Sequence, residues 1–155
     1  MKQISRRELG FALSAFAALG GLSAEAQSQA SISDGPRLLH SDLFSFDKLP
    51  VKTSSNGMST RPVVRGTLAT GEYIEVHESM LPAGEMPHPP HRHTHSELLL
   101  IREGKLQVES DGERGIVNPG GVIFTASGVL HSLKNVGDGP ASYFVVAVGL
   151  QKAII

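Results

Sequence analysis

From Arg61 onward the chain is broken every few residues by turn formers: Thr70-Gly71, Pro82-Ala83-Gly84, Glu103-Gly104, Asp111-Gly112, Asn118-Pro119-Gly120, Ser127-Gly128 and Gly137-Asp138-Gly139-Pro140. Nothing between these breaks has a convincing helical pattern. The spacing predicts strands over 62–68, 72–81, 97–102, 105–110, 113–117, 122–125, 131–135 and 141–148. Asp111-Gly112 between two of them is a strong hairpin signal, because both residues tolerate the positive φ that a tight two-residue turn needs. Short strands at this even spacing imply an all-β sandwich or barrel.

The chain has 155 residues, room for one domain. Its first residues read as an export leader. Lys2, Arg6 and Arg7 precede an uncharged, mildly apolar run from Gly10 to Ala24, and Ala24-Glu25-Ala26 is a small-x-small cleavage site. The run is shorter than the about 20 apolar residues of a membrane span. Ser5-Arg6-Arg7-Glu8-Leu9 resembles a twin-arginine leader, with Leu9 where phenylalanine is commonest. The expected organisation is a leader over 1–26, a tail and N-terminal arm over 27–60, and a β-barrel domain over 61–150. The expected destination is the periplasm or the exterior, with no membrane attachment after cleavage.

The net charge of −1 provides no basic face for a nucleic acid. Absence of cysteine excludes disulfides, thiol catalysis and thiolate-held metals. Histidine is the unusual residue: of seven, His88, His91, His93 and His95 fall in one short stretch. Side chains two apart on a strand share a face, so His91 and His93 can meet one ion. Glu97 follows where the next strand begins, and a carboxylate there offsets part of a dication's charge. His131 is distant in sequence, but strand pairing can return it to the same place. Three nitrogens and one carboxylate suit a divalent manganese, iron, nickel, copper or zinc ion.

With these residues in view, the chain resembles the cupin superfamily. The first cupin motif runs glycine, His-x-His, glutamate, glycine, and reads here as Gly84, His91-Arg92-His93, Glu97 and Gly104. The second reads as Gly120, Ala126-Ser127-Gly128, His131 and Asn135, with Ala126 where proline is common. The resemblance implies a single small jelly-roll β-barrel with His91, His93, Glu97 and His131 as the ligand set. It also implies a range of chemistries: dioxygenases, oxidases, lyases and isomerases share such ligands. The leading expectation is a metal-dependent oxygenase acting on a small, partly apolar molecule. A non-catalytic binding module and a purely structural metal are the alternatives.

Over 72–81, Ile74, Val76 and Met80 form an apolar set, and Tyr73, Glu75, His77 and Ser79 a polar one. Glu78 falls on the apolar side. A carboxylate there must be paired or lie near a polar cavity, which makes it a candidate proton-transfer group, unless a bulge turns it outward. Leu99, Ile101, Phe124, Leu133 and Val145 are expected to line the barrel. Leu98-Leu99-Leu100-Ile101 is apolar on both faces, so its outer face needs either the arm or a second subunit in a homodimer.

Overall fold

The computed structural model describes residues 35–150. The strands are β1 (Arg37–Leu38), β2 (Lys52–Thr53), β3 (Ser59–Leu68), β4 (Tyr73–Leu81), β5 (Ser96–Glu103), β6 (Leu106–Ser110), β7 (Glu113–Val117), β8 (Val122–Thr125), β9 (His131–Asn135) and β10 (Ala141–Gly149). A single 3-10 turn spans Phe46–Lys48. Residues 52–60, at the end of the arm expected from sequence, form the β2–β3 hairpin, Thr53 facing Ser59.

Seven strands make one sheet in the order β1-β3-β4-β10-β5-β8, with β2 on β3. All its pairs are antiparallel except β1 with β3. A second sheet runs β7-β6-β9. The β6–β7 hairpin turns at Asp111 and Gly112, both at positive φ, as the Asp-Gly pair requires.

The closed barrel expected from sequence is not what forms. Among the described residues no strand ladder joins the two sheets, and β8 is left as the end of the large one. The reason lies in the connection between β4 and β5. It runs beside β9, bonded at Gly84 and Glu85 to Asn135 and at His91 to His131. Between those points stand Pro87, Pro89 and Pro90. Proline has no N–H to give, so the contact stays one isolated bridge and never becomes a ladder.

The core lies between the sheets. Leu81, Leu99, Ile101, Ile123, Ala141, Tyr143 and Val145 come from the large sheet and Leu106 and Leu133 from the small one. Fully burying each large apolar side chain contributes about 1.5–3 kcal/mol. Asn135 is fully buried and braces one end: its amide donates to the carbonyls of Leu81 and Gly139 at 2.9 Å each, and its oxygen accepts from the Gly137 N–H at 3.0 Å. Phe124, expected in the lining, is 62% exposed, while Ile123 and Thr125 point inward. Register decides this: Ile123 sits opposite Leu99 and Thr125 opposite Glu97, so Phe124 must take the outer face.

Candidate metal centre

His91 and His93 precede β5 rather than lying in it. His91 is fixed by its two-way backbone bridge to His131, N to O at 3.1 Å in each direction. The His93 carbonyl accepts from Gly128 N at 2.8 Å, and Ser127 Oγ donates to the Thr94 carbonyl at 2.8 Å. Arg92 points away and donates to the Gly128 carbonyl at 2.6 Å. The extended approach therefore keeps the two imidazoles on one side, as their spacing of two predicts, although no regular strand carries them. Glu97 is the second residue of β5 and His131 the first of β9.

These four residues come together. One ring nitrogen from each of His91, His93 and His131 falls within 4.8 Å of the others. A Glu97 carboxylate oxygen lies 3.6 Å from His93 Nε2 and 3.9 Å from His131 Nε2. Two donors each about 2.1 Å from a common ion are separated by roughly 3.0 Å at right angles and roughly 4.2 Å when opposed, so the Glu97–histidine separations fall within that range.

The hydrogen bonding fits an ion as well. His93 Nδ1 donates to the His95 carbonyl at 2.8 Å and His131 Nδ1 to the Val129 carbonyl at 3.0 Å. A carbonyl can only accept, so both rings carry their proton on Nδ1 and turn the Nε2 lone pair inward. His93 Nε2, His131 Nε2 and His91 Nδ1 are buried and have no hydrogen-bond partner among the described residues. Two buried orphan acceptors, on His93 and His131, beside one carboxylate and a third unpartnered nitrogen on His91 are costly unless something electropositive sits between them. Burial first, then neighbouring His88, His131 and His93, depress the His91 pKa to about 4, while Glu97 pulls the other way. His91 is thus neutral near pH 7, the form that binds a metal.

His95 also lies near Glu97, at 3.8 Å, and could share an ion with His93 and Glu97. Its ring is stacked on His93, centroids 3.8 Å apart and planes 8° from parallel. Imidazole lone pairs lie in the ring plane. Two stacked rings therefore cannot both aim at one ion, and His95 instead holds the His93 ring in place. His88 packs edge-on against His91 with centroids 4.0 Å apart.

A cavity of about 210 Å³ adjoins the cluster, and Glu97 and His131 line it together with His77, Ser79, Thr125 and Tyr143. Here the face assignment of β4 is reversed. Register puts Ser79 against Tyr143 and His77 against Val145, so the polar set faces inward. The apolar set of Ile74, Val76 and Met80, with Glu78, takes the outer face. Alternation showed that β4 has two faces, but no local signal said which one the second sheet would cover. Burial lowers the His77 pKa, an effect that Glu75, Glu97 and Glu78 oppose.

The structure does not bring Glu78 to the histidines. Its carboxylate is buried on the outer face, 3.2 Å from Arg61 Nη1 and 3.8 Å from Arg102 Nη1. Phe46 of the arm covers both guanidinium groups, at 4.5 Å from Arg61 and 4.8 Å from Arg102. The acid is paired, as burial demands, but by arginines across the sheet from the cavity.

Residues 77–147 match the family model of the cupin domain. Over that stretch, less than half of the chain, the protein is similar to a cupin domain. Its fold recurs in solved structures. An RmlC-like cupin from Shewanella frigidimarina aligns over 74% of this chain and 97% of its own, with TM-score 0.60 and 18% identity. A sugar phosphate isomerase from a cupin superfamily, from Silicibacter pomeroyi, aligns over 70% of this chain and 76% of its own, with TM-score 0.59 and 19% identity. The polyketide cyclase RemF from Streptomyces resistomycificus aligns over 70% and 80%, with TM-score 0.57 and 16% identity. At these identities the likeness is one of fold. No curated protein matches the chain. Among the described residues no helix is long and apolar enough to cross a membrane.

Proposed function

We propose that this cupin-like domain holds one divalent transition metal ion on His91, His93, Glu97 and His131 and serves as a metal-dependent oxygenase for a small, partly apolar molecule. The observation that carries the metal reading is the clustering of one ring nitrogen each from His91, His93 and His131, with the Glu97 carboxylate beside the buried, unpartnered Nε2 atoms of His93 and His131. When bound, the ion supplies Lewis acidity and, for iron, copper or manganese, a redox couple. The chain's own residues do the rest. Backbone carbonyls fix the tautomers of His93 and His131. Glu97 neutralises part of the added charge and lines the cavity with His131. Leu99, Ile123, Leu133 and Val145 wall the space against bulk water. His77, a titratable group in the cavity wall outside the ligand set, favours as second reading an isomerase or lyase that moves a proton without dioxygen.

The arginine-bearing leader over 1–26 lies outside the described residues and supports export to the periplasm. A homodimer is supported by Leu100, Val122 and Phe124, exposed on the outer face of the large sheet. Elemental analysis of the full chain, exported by its own host, tests the metal: one transition metal per chain is expected. His91→Ala, His93→Ala and Glu97→Ala are expected to lose it and, with it, oxygen uptake on any active substrate. Metal-free native material, or full activity in metal-free Glu97→Ala, overturns the proposal. Turnover without oxygen uptake selects the isomerase or lyase reading.

A further inference from the structure

The cavity is polar at two ends. Glu97 and His131 mark one, Ser79 and Tyr143 the other. Glu97 faces Ala147 on β10, and Ser79 faces Tyr143 on the same strand. Ala147 and Tyr143 are four residues apart, about 13 Å of strand. Between the ends the wall is mainly apolar, formed by Leu99, Ile123, Leu133 and Val145, with His77 opposite Val145.

Ser79 is 0% exposed, lines this space, and its Oγ makes no hydrogen bond among the described residues. A buried hydroxyl without a partner is rare in a folded protein and calls for a reason. The Tyr143 hydroxyl stands beside Ser79, close enough to have its own ionisation eased. Burial dominates and pushes the Tyr143 pKa up, so this hydroxyl keeps its proton. The far end therefore offers two neutral hydroxyls, of which Ser79 Oγ has hydrogen-bonding capacity to spare. No lysine or arginine among the described residues lines the cavity, so a second negative charge would find no counter-ion there.

We propose that Ser79, with the Tyr143 hydroxyl beside it, binds an uncharged hydrogen-bonding group, a hydroxyl or carbonyl, at the far end of a short molecule whose oxygen-donor head lies at Glu97 and His131. The substrate class is then an oxygen-chelating head, a short apolar middle and a neutral polar tail. Phosphorylated and dicarboxylic molecules are excluded. This inference rests on the metal reading above.

The test uses the full chain loaded with Co(II), whose visible spectrum reports binding at the head. The probes are linear hydroxamates of increasing chain length, each ending in a methyl, a hydroxyl or a carboxylate. At one chain length the hydroxyl-ended probe is expected to bind about tenfold tighter than its methyl counterpart. Ser79→Ala is expected to reduce that ratio to about one, and the carboxylate-ended probe to bind more weakly than either. Tyr143→Phe provides a second variant and is expected to shrink the same ratio. A methyl-ended probe that equals the hydroxyl-ended one at every length overturns this inference alone, as does a preference that survives both variants. A retained cobalt whose spectrum no hydroxamate perturbs also overturns this inference, whereas failure to retain cobalt overturns the metal reading itself.

Discussion

Glu78→Gln separates a structural acid from a catalytic one. The Glu78 side chain is 2% exposed, while Arg61 and Arg102 are 23% and 40% exposed. Its charge-assisted bond to Arg61, at 3.2 Å, falls in a class whose loss costs about 1.5–3 kcal/mol. The Arg102 contact is longer, at 3.8 Å, and its partner reaches water, so it adds about 0–1 kcal/mol. Glutamine keeps the shape and one acceptor for Arg61, and both arginines can be hydrated once the charge is gone. The expected loss is therefore about 1–2 kcal/mol, well below the roughly 3–5 kcal/mol of a fully buried pair broken on one side. For a domain of this size that is about 5 °C in Tm. Urea and thermal unfolding of metal-loaded and metal-free protein measure it, and a double-mutant cycle with Arg61→Gln is expected to show coupling of about 1 kcal/mol. Metal content and hydroxamate binding are expected to stay as in the parent. A Glu78→Gln protein of unchanged stability that loses probe binding would refute the reasoning and return Glu78 to the site.

Three further outcomes are expected. His95→Ala removes a stacked ring but no ligand, so metal affinity measured by chelator competition falls by about tenfold, whereas His93→Ala abolishes it. Equal losses would place His95 among the ligands. Gly104→Ala destabilises by about 3 kcal/mol or more, because φ is +84° and an added Cβ would stand 2.5 Å from Ala141 Cα. Gly84→Ala, at φ +80° with nothing within 4 Å, costs only about 1–2 kcal/mol of backbone strain in the same urea titration. The His91 pKa is lowered from 6.5 to about 4, so between those values the unfolded chain takes up a proton that the folded one refuses. The metal-free protein is therefore expected to lose stability as pH falls through this window, with His77 adding in the same direction, and His91→Asn to flatten the slope. A metal-free protein that gains stability on acidification from pH 6.5 to 4 would contradict this.

Strand positions were legible in the sequence because their causes are local. Glycine, proline and Asp-Gly pairs end strands through backbone conformation, and 113–117, 122–125 and 131–135 begin and end where those breaks put them. The four candidate ligands were legible through residue type and spacing. The side chains opposite them in the cavity were not: His77 and Ser79 lie on an alternating strand and Tyr143 on a mostly apolar one, and nothing in their own neighbourhoods marks them.

The histidine-rich approach to β5 shows where the division falls. By itself the sequence determined that the domain is all-β, that His91 and His93 share a side, and that Glu97 stands at the start of the strand after them, one residue in. Each follows from contacts within a few residues. Only tertiary structure decided that His131 bridges to His91, that prolines in the same connection keep the sheets from closing, and that β4 turns its polar face inward. It also decided that Glu78 belongs to two arginines under Phe46. Those outcomes depend on pairing register and on which surface a distant segment covers, and a strand's own residues encode two faces without choosing between them.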